Sequence, residues 1–114
     1  DVYKRQIVFK KEYNTLKDIA IDEGKVYLLC DDKLMTLNNK AEVLEEHTFN
    51  QNVRSLLKHN NDYIVYSERE IYIPFKGKYY MKDMQEDIRN IYMSGDFIAI
   101  VSDENITIYS MKIR

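Results

Sequence analysis

The chain has 114 residues, of which 45% are hydrophobic, enough to bury the core of one ordinary domain. Its 17 Lys and Arg residues balance 19 Asp and Glu residues, and the net charge of −2 does not favour nucleic acid or an anionic membrane as a partner. The longest apolar stretch, Phe97–Val101, is far shorter than the roughly 20 residues that cross a bilayer, so we expect no membrane segment within this chain.

Residues 1–6 do not share the apolar pattern that follows them. They can be written as the codons GAT GTG TAT AAG AGA CAG, which resemble a transposase adapter used to prepare DNA fragments for sequencing. We therefore exclude residues 1–6 from the fold prediction as an adapter-derived segment. The resemblance implies that the natural chain began further upstream and that its source is shotgun or metagenomic DNA.

Four short runs in 16–49 predict four β-strands in a fixed order. An alternating run at 16–21 is followed by an apolar run, a third strand, and a more polar outer strand at 43–49. The preceding segment 7–13 reads Ile-Val-Phe-Lys-Lys-Glu-Tyr and fits the outer-strand position as well, 36 residues before Val43. Runs of this length, rich in Ile, Val, Tyr and Phe, favour strands over helices.

The same pattern then recurs along the chain. Leu34, Ile71 and Ile106 begin equivalent strands and are 37 and 35 residues apart. A period of this length indicates a repeat architecture. The predicted units are an outer strand at 7–13, a full unit at 16–49, a full unit at 53–84, and a partial unit at 88–111.

Turn residues support these strand boundaries. Glu23-Gly24, Asn60-Asn61 and Ser94-Gly95 fall between the first and second strands, where a hairpin needs residues that tolerate positive φ. The main competing element is a helix over 41–58, which has apolar residues near helical spacing. Because Asn50-Gln51-Asn52 interrupts that segment, the repeat favours a connection there.

Units of about 35 to 40 residues with four short strands resemble β-propeller blades. The resemblance covers 7–114 and is closest to WD-repeat-like or quinoprotein-like propellers that are common in bacteria of low genomic GC. The subfamily signatures are missing, since the chain has no Trp and no Gly-Gly pair. The resemblance implies an all-β fold of antiparallel four-stranded blades, about two full and the rest partial, in an open fan, because a closed ring needs at least about four blades.

No constellation in the sequence predicts a catalytic, cofactor-binding or metal site. His47 and His59 fall on different elements, and neither His-x-x-x-His nor Cys-x-x-Cys spacing occurs. The single cysteine, Cys30, lies in an apolar run and is expected to be a small buried residue. The acidic pairs Asp31-Asp32 and Asp103-Glu104 read as ordinary hairpin turns.

The 10 tyrosines provide the only candidate binding surface. Most lie in predicted inner strands, where an aromatic ring packs in the core. Tyr79, Tyr80, Met81 and Met84 lie on or next to an outer strand, and we predict that they form an interaction patch, here called the outer-strand patch. The alternative is that these apolar side chains cover a neighbouring blade.

The most consistent function is a non-enzymatic protein-interaction or ligand-sensing module, with a protein or glycan as its partner and no cofactor. This functional hypothesis rests on analogy with other propellers, a fold that carries many different functions. Two alternatives stay open: a fragment of a propeller enzyme whose active-site residues lie in other blades, and a fragment of a membrane-anchored bacterial surface propeller.

Overall fold

A computed structural model of the protein describes residue 10 and residues 12–50 and 52–111. The chain divides into two compact units, Asp1–Leu56 and Leu57–Arg114. The described residues form 11 β-strands and no helix, which confirms the predicted all-β fold class. The predicted adapter segment 1–6 and most of the predicted outer strand 7–13 lie outside the described residues.

The first unit contains sheet A, an antiparallel sheet in which consecutive strands are neighbours. Its order is β1-β2-β3-β4. Apolar β2 and β3 occupy the centre, and the more polar β4 forms an edge, as expected for strands covered to different degrees. The strands are β1 (Leu16–Asp22), β2 (Lys25–Cys30), β3 (Lys33–Leu37) and β4 (Val43–Thr48).

The second unit contains most of sheet B and all of sheet C. Sheet B has the order β5-β6-β7-β8 and begins with two residues at the end of the first unit, whereas sheet C has only three strands in the order β11-β10-β9. Sheet B consists of β5 (Ser55–His59), β6 (Asp62–Tyr66), β7 (Glu70–Phe75) and β8 (Lys78–Asp83). Sheet C consists of β9 (Asn90–Ser94), β10 (Phe97–Val101) and β11 (Ile106–Ser110).

The predicted turns adopt the backbone that their residues favour. Glu23, Gly24, Asn60 and Gly95 all have positive φ between 48° and 75°. The competing helix over 41–58 is wrong, because β4 and β5 occupy this segment. Tertiary packing explains the difference. Phe49 and Val53 lie in the connection between the two strands, and each is buried individually rather than as part of one apolar helix face.

Each unit has its own apolar cluster. In the first unit Leu28, Cys30 and Leu37 are buried on one face of sheet A, which confirms the expectation for the cysteine. In the second unit, sheets B and C pack face to face. Ile64 and Ile71 of sheet B share one buried cluster with Ile98 and Ile100 of sheet C and with Ile88, which lies just before β9.

The hairpin between β7 and β8 requires a left-handed backbone at both of its central residues. Lys76 and Gly77 have φ of 51° and 78°, and no atom lies within 4 Å of the position that a Cβ would occupy on Gly77. Gly77→Ala is therefore expected to lower the free energy of unfolding by about 1 to 2 kcal/mol through left-handed backbone strain. Urea titration measures this loss, and Lys76→Gly, which relieves the strain at the other central residue, should show none.

Candidate protein-interaction surface

Sheet C has two apolar faces, and within the described part of the chain only one of them is covered. Ile98 and Ile100 of β10 are buried against sheet B. Because successive residues of a strand point to opposite faces, Phe97, Ala99 and Val101 point to the other side of the sheet. A strand that is apolar on both faces is typical of a sheet covered on both sides.

The uncovered side carries large apolar side chains from all three strands. Tyr92 and Ile108 flank Ala99 in the strand register, and Ile106 lies opposite Val101. Together with Phe97 they are 58 to 68% exposed. We call Tyr92, Phe97, Ile106 and Ile108 the apolar face. Contiguous apolar surface of this kind marks protein contact sites.

The apolar face is not among the surfaces that the sequence predicts. From the sequence, 97–101 is expected to be an inner strand with both faces covered, and Ile106 is expected to begin an equivalent inner strand. The number of strands could have indicated the apolar face, because 88–111 contains only three strands whereas each of the two earlier repeats contains four.

The structure divides the residues of the outer-strand patch between different environments. The Tyr79 hydroxyl donates a hydrogen bond to the Tyr63 carbonyl at 2.8 Å, and Met84 packs against the buried isoleucine cluster. Tyr80 and Met81 are each about half exposed, but as consecutive strand residues they point to opposite sides of sheet B. Partner binding by these four residues stays a prediction.

Tyr80 instead belongs to a row of side chains on the side of β8 that faces sheet C. Lys78 and Lys82 lie two residues to either side of it and share its face. The Lys82 ammonium lies 5.2 Å from the centre of the Tyr109 ring, and the Tyr80 ring lies 6.3 Å from that of Phe75. We call Lys78, Tyr80 and Lys82 the basic–aromatic row.

Carboxylates gather at one end of sheet C. Arg89 Nε donates to Asp103 Oδ1 at 2.5 Å, and this hydrogen bond holds the pKa of Asp103 below its ordinary value and raises that of Arg89. The Glu86 carboxylate accepts a hydrogen bond from the Asn105 side-chain amide at 2.6 Å. Ion pairs this exposed are screened by solvent, so they orient the turns more than they stabilise the fold.

The remaining sequence candidates lie apart from one another. His47 is on β4 with its ring 3.9 Å from the Glu45 carboxylate, and His59 ends β5. Among residues 10, 12–50 and 52–111, no three His, Cys, Asp or Glu side chains come close enough to hold a metal ion. The same part of the chain contains no helix long and apolar enough to cross a membrane.

Comparison with known proteins supports the fold. No protein-family model and no curated protein matches the sequence. Among solved structures, the chain is similar to the WD40 domain of SCAP from fission yeast, with a TM-score of 0.61 and 20% sequence identity. The match covers 86% of this chain and 31% of the other. The chain therefore has a β-propeller-like fold and spans about a third of the length of that propeller chain.

Proposed function

We propose that this chain is a non-enzymatic, protein-binding segment of a β-propeller and that the apolar face of sheet C is its binding surface. The observation that carries the proposal is the exposure of four large apolar side chains on one side of a three-stranded sheet whose other side packs against sheet B. Leaving such surface in water is unfavourable by about 25 cal/mol per Å². A protein partner that covers it removes this cost.

The partner surface that fits best is another antiparallel β-sheet. Within the second unit, sheet B already covers the opposite side of sheet C through branched aliphatic side chains, so the packing mode is present in the molecule itself. The apolar face also carries branched aliphatic side chains, the isoleucines at alternate positions of β11. The chain is similar to about a third of a longer propeller chain. This similarity supports an antiparallel propeller sheet as the partner surface.

A second copy of the chain is a suitable probe because it supplies antiparallel sheets of this type. In sedimentation velocity, we expect the weight-average mass of the 114-residue chain to rise with concentration. Ile108→Lys, which places a charge in the centre of the apolar face, should weaken self-association at least about tenfold, equivalent to 1.4 kcal/mol. The exposed edge strand tolerates the substitution in the monomer.

Met81→Lys is the matched control, because Met81 is an exposed apolar residue on an edge strand but lies outside the apolar face. It should associate as the unsubstituted chain does, and far-UV circular dichroism should show both variants folded. A chain that stays monomeric at every concentration, or an Ile108→Lys variant that associates normally, would contradict the proposal.

A further inference from the structure

Sheets B and C separate at one end of the second unit and leave a cleft between them. In the middle of the two sheets, Ile64 and Ile98 belong to one buried cluster. At the end that carries the β5–β6, β7–β8 and β9–β10 turns, a cleft of about 600 Å³ lies between the sheets instead. Small-molecule sites have volumes of about 300 to 1,000 Å³, so this cleft is large enough for such a ligand.

Sheet B supplies an aromatic wall and a carboxylate to the cleft. Ile71, Ile73 and Phe75 alternate along β7 and therefore share the side of the sheet that carries the buried cluster. Ile64 and Asp62 share that side on β6 for the same reason. Phe75 and Asp62 both line the cleft. The packed side of sheet B thus continues into the cleft as one aromatic ring and one carboxylate.

Sheet C supplies the second carboxylate and a thioether. Met111 packs against the buried cluster, and its N–H donates to the Asp96 carbonyl at 2.6 Å, so the two residues lie side by side at the end of the sheet. Both line the cleft, where Met111 is half-buried and Asp96 is exposed. The cleft therefore has one carboxylate on each wall, Asp62 and Asp96, beside an apolar surface formed by Phe75 and Met111.

The charges at the cleft favour a cationic ligand. The Lys76 ammonium lies 5.2 Å from the centre of the Phe75 ring, within the distance at which a cation is attracted to an aromatic face. Lys76 is exposed at the rim, so it opposes the entry of a second cation, but Asp62 and Asp96 together outweigh its charge. A ligand of opposite charge is recognised through such complementarity.

We propose that this cleft binds a small organic ammonium ion that carries an aromatic ring, the class of aralkylamines. The ammonium group has three donors and lies between Asp62 and Asp96, where charge-assisted hydrogen bonds hold it. The aromatic ring packs against Phe75 and the Met111 thioether, both of which interact favourably with aromatic faces and edges. This site goes beyond the proposed protein-binding function, because the apolar face lies on the opposite side of sheet C.

The test uses the full chain and tryptamine in equilibrium dialysis at one low protein concentration. Because the chain contains no Trp, indole fluorescence measures the ligand on both sides of the membrane. We expect saturable binding with a Kd of about 1 mM or lower, which is typical for a ligand of this size. Indole-3-propionate has the same ring with a carboxylate in place of the amine and should bind at least about tenfold more weakly. Propylamine, which lacks the ring, should compete at least about tenfold less well than tryptamine.

Variants of the wall residues locate the site. Asp62→Asn and Asp96→Asn should each weaken tryptamine binding about threefold, and together about tenfold, as expected for exposed ion pairs. Phe75→Leu should weaken it about fivefold through loss of the aromatic contact. Lys76→Asn removes the opposing charge, keeps a residue that tolerates positive φ, and should strengthen binding. Glu104→Gln is the matched control, because this exposed carboxylate lies in the β10–β11 turn and should leave binding unchanged.

Equal binding of tryptamine and indole-3-propionate, an effect of Glu104→Gln as large as that of Asp96→Asn, or no saturable binding of tryptamine would overturn the inference. Far-UV circular dichroism checks that each variant folds. If a variant fails to fold, the comparison of the three ligands on the unsubstituted chain decides the question. A chain that self-associates without binding tryptamine overturns only this inference, whereas a monomeric chain that binds tryptamine supports it and contradicts only the proposal for the apolar face.

Discussion

Ile98→Ala is expected to lower the free energy of unfolding of the second unit by about 2 to 5 kcal/mol, the range for truncating a buried aliphatic side chain to alanine. Ile98 is 1% exposed and packs in the cluster that joins sheets B and C. Its loss removes contacts with both sheets and leaves a cavity in that cluster. Because a domain has only about 5 to 15 kcal/mol of net stability, this is a large fraction of the total.

Ile108→Ala is the matched control, since Ile108 lies on the neighbouring strand of the same sheet with its side chain on the exposed side. Its truncation should change the stability by less than about 0.5 kcal/mol, as for other surface positions. Urea unfolding followed by circular dichroism measures both variants. Equal losses in the two variants would show that the two sides of sheet C do not differ in burial as described.

Ser67→Ala is expected to lower the free energy of unfolding by about 1 to 3 kcal/mol, because it removes the buried acceptor of two backbone hydrogen bonds. Ser67 is fully buried, and its hydroxyl oxygen accepts hydrogen bonds from the N–H groups of Glu70 at 3.0 Å and Arg69 at 3.4 Å. This turn also holds the segment that leads to sheet C, because the Glu68 carbonyl accepts from the Ile88 N–H at 2.6 Å. Urea unfolding of the variant should therefore show a lower midpoint.

The equivalent turn in sheet C provides the comparison. Ser102 accepts a hydrogen bond from the Asn105 N–H at 3.1 Å in the same arrangement, but it is only half-buried. Water can replace the hydroxyl there, so Ser102→Ala should cost less than about 1 kcal/mol. A loss in Ser102→Ala as large as that in Ser67→Ala would mean that burial does not govern the contribution of these turns.

Several elements of the fold could be predicted from local sequence. The turns at Glu23-Gly24 and Asn60-Asn61 followed from residue types that tolerate positive φ, and the structure has positive φ at Glu23, Gly24 and Asn60. Apolar runs of about five residues separated by such turns indicated strands, and their recurrence indicated blades. These features depend on the residue types within short segments, so the sequence alone is enough to predict them.

The candidate binding surfaces depended on information that short segments lack. Phe97 and Ile98 are neighbours in one apolar run, yet one is exposed and the other buried, because sheet B covers only one side of sheet C. In the same way Tyr80 and Met81 are neighbours in the outer-strand patch and point to opposite sides of β8. Which side is covered is a property of sheet packing rather than of the run itself.

The amino-acid sequence by itself determined the all-β class, the repeat and the positions of the hairpins, because strand alternation and turn conformation are local. Only the tertiary structure decided which apolar faces are buried, and that Tyr80 and Met81 point to opposite sides of sheet B. Those outcomes depend on how sheets stack within the second unit and on the number of strands that each sheet contains. The physical reason is that burial is a relation between elements distant in sequence, whereas backbone preference belongs to each residue.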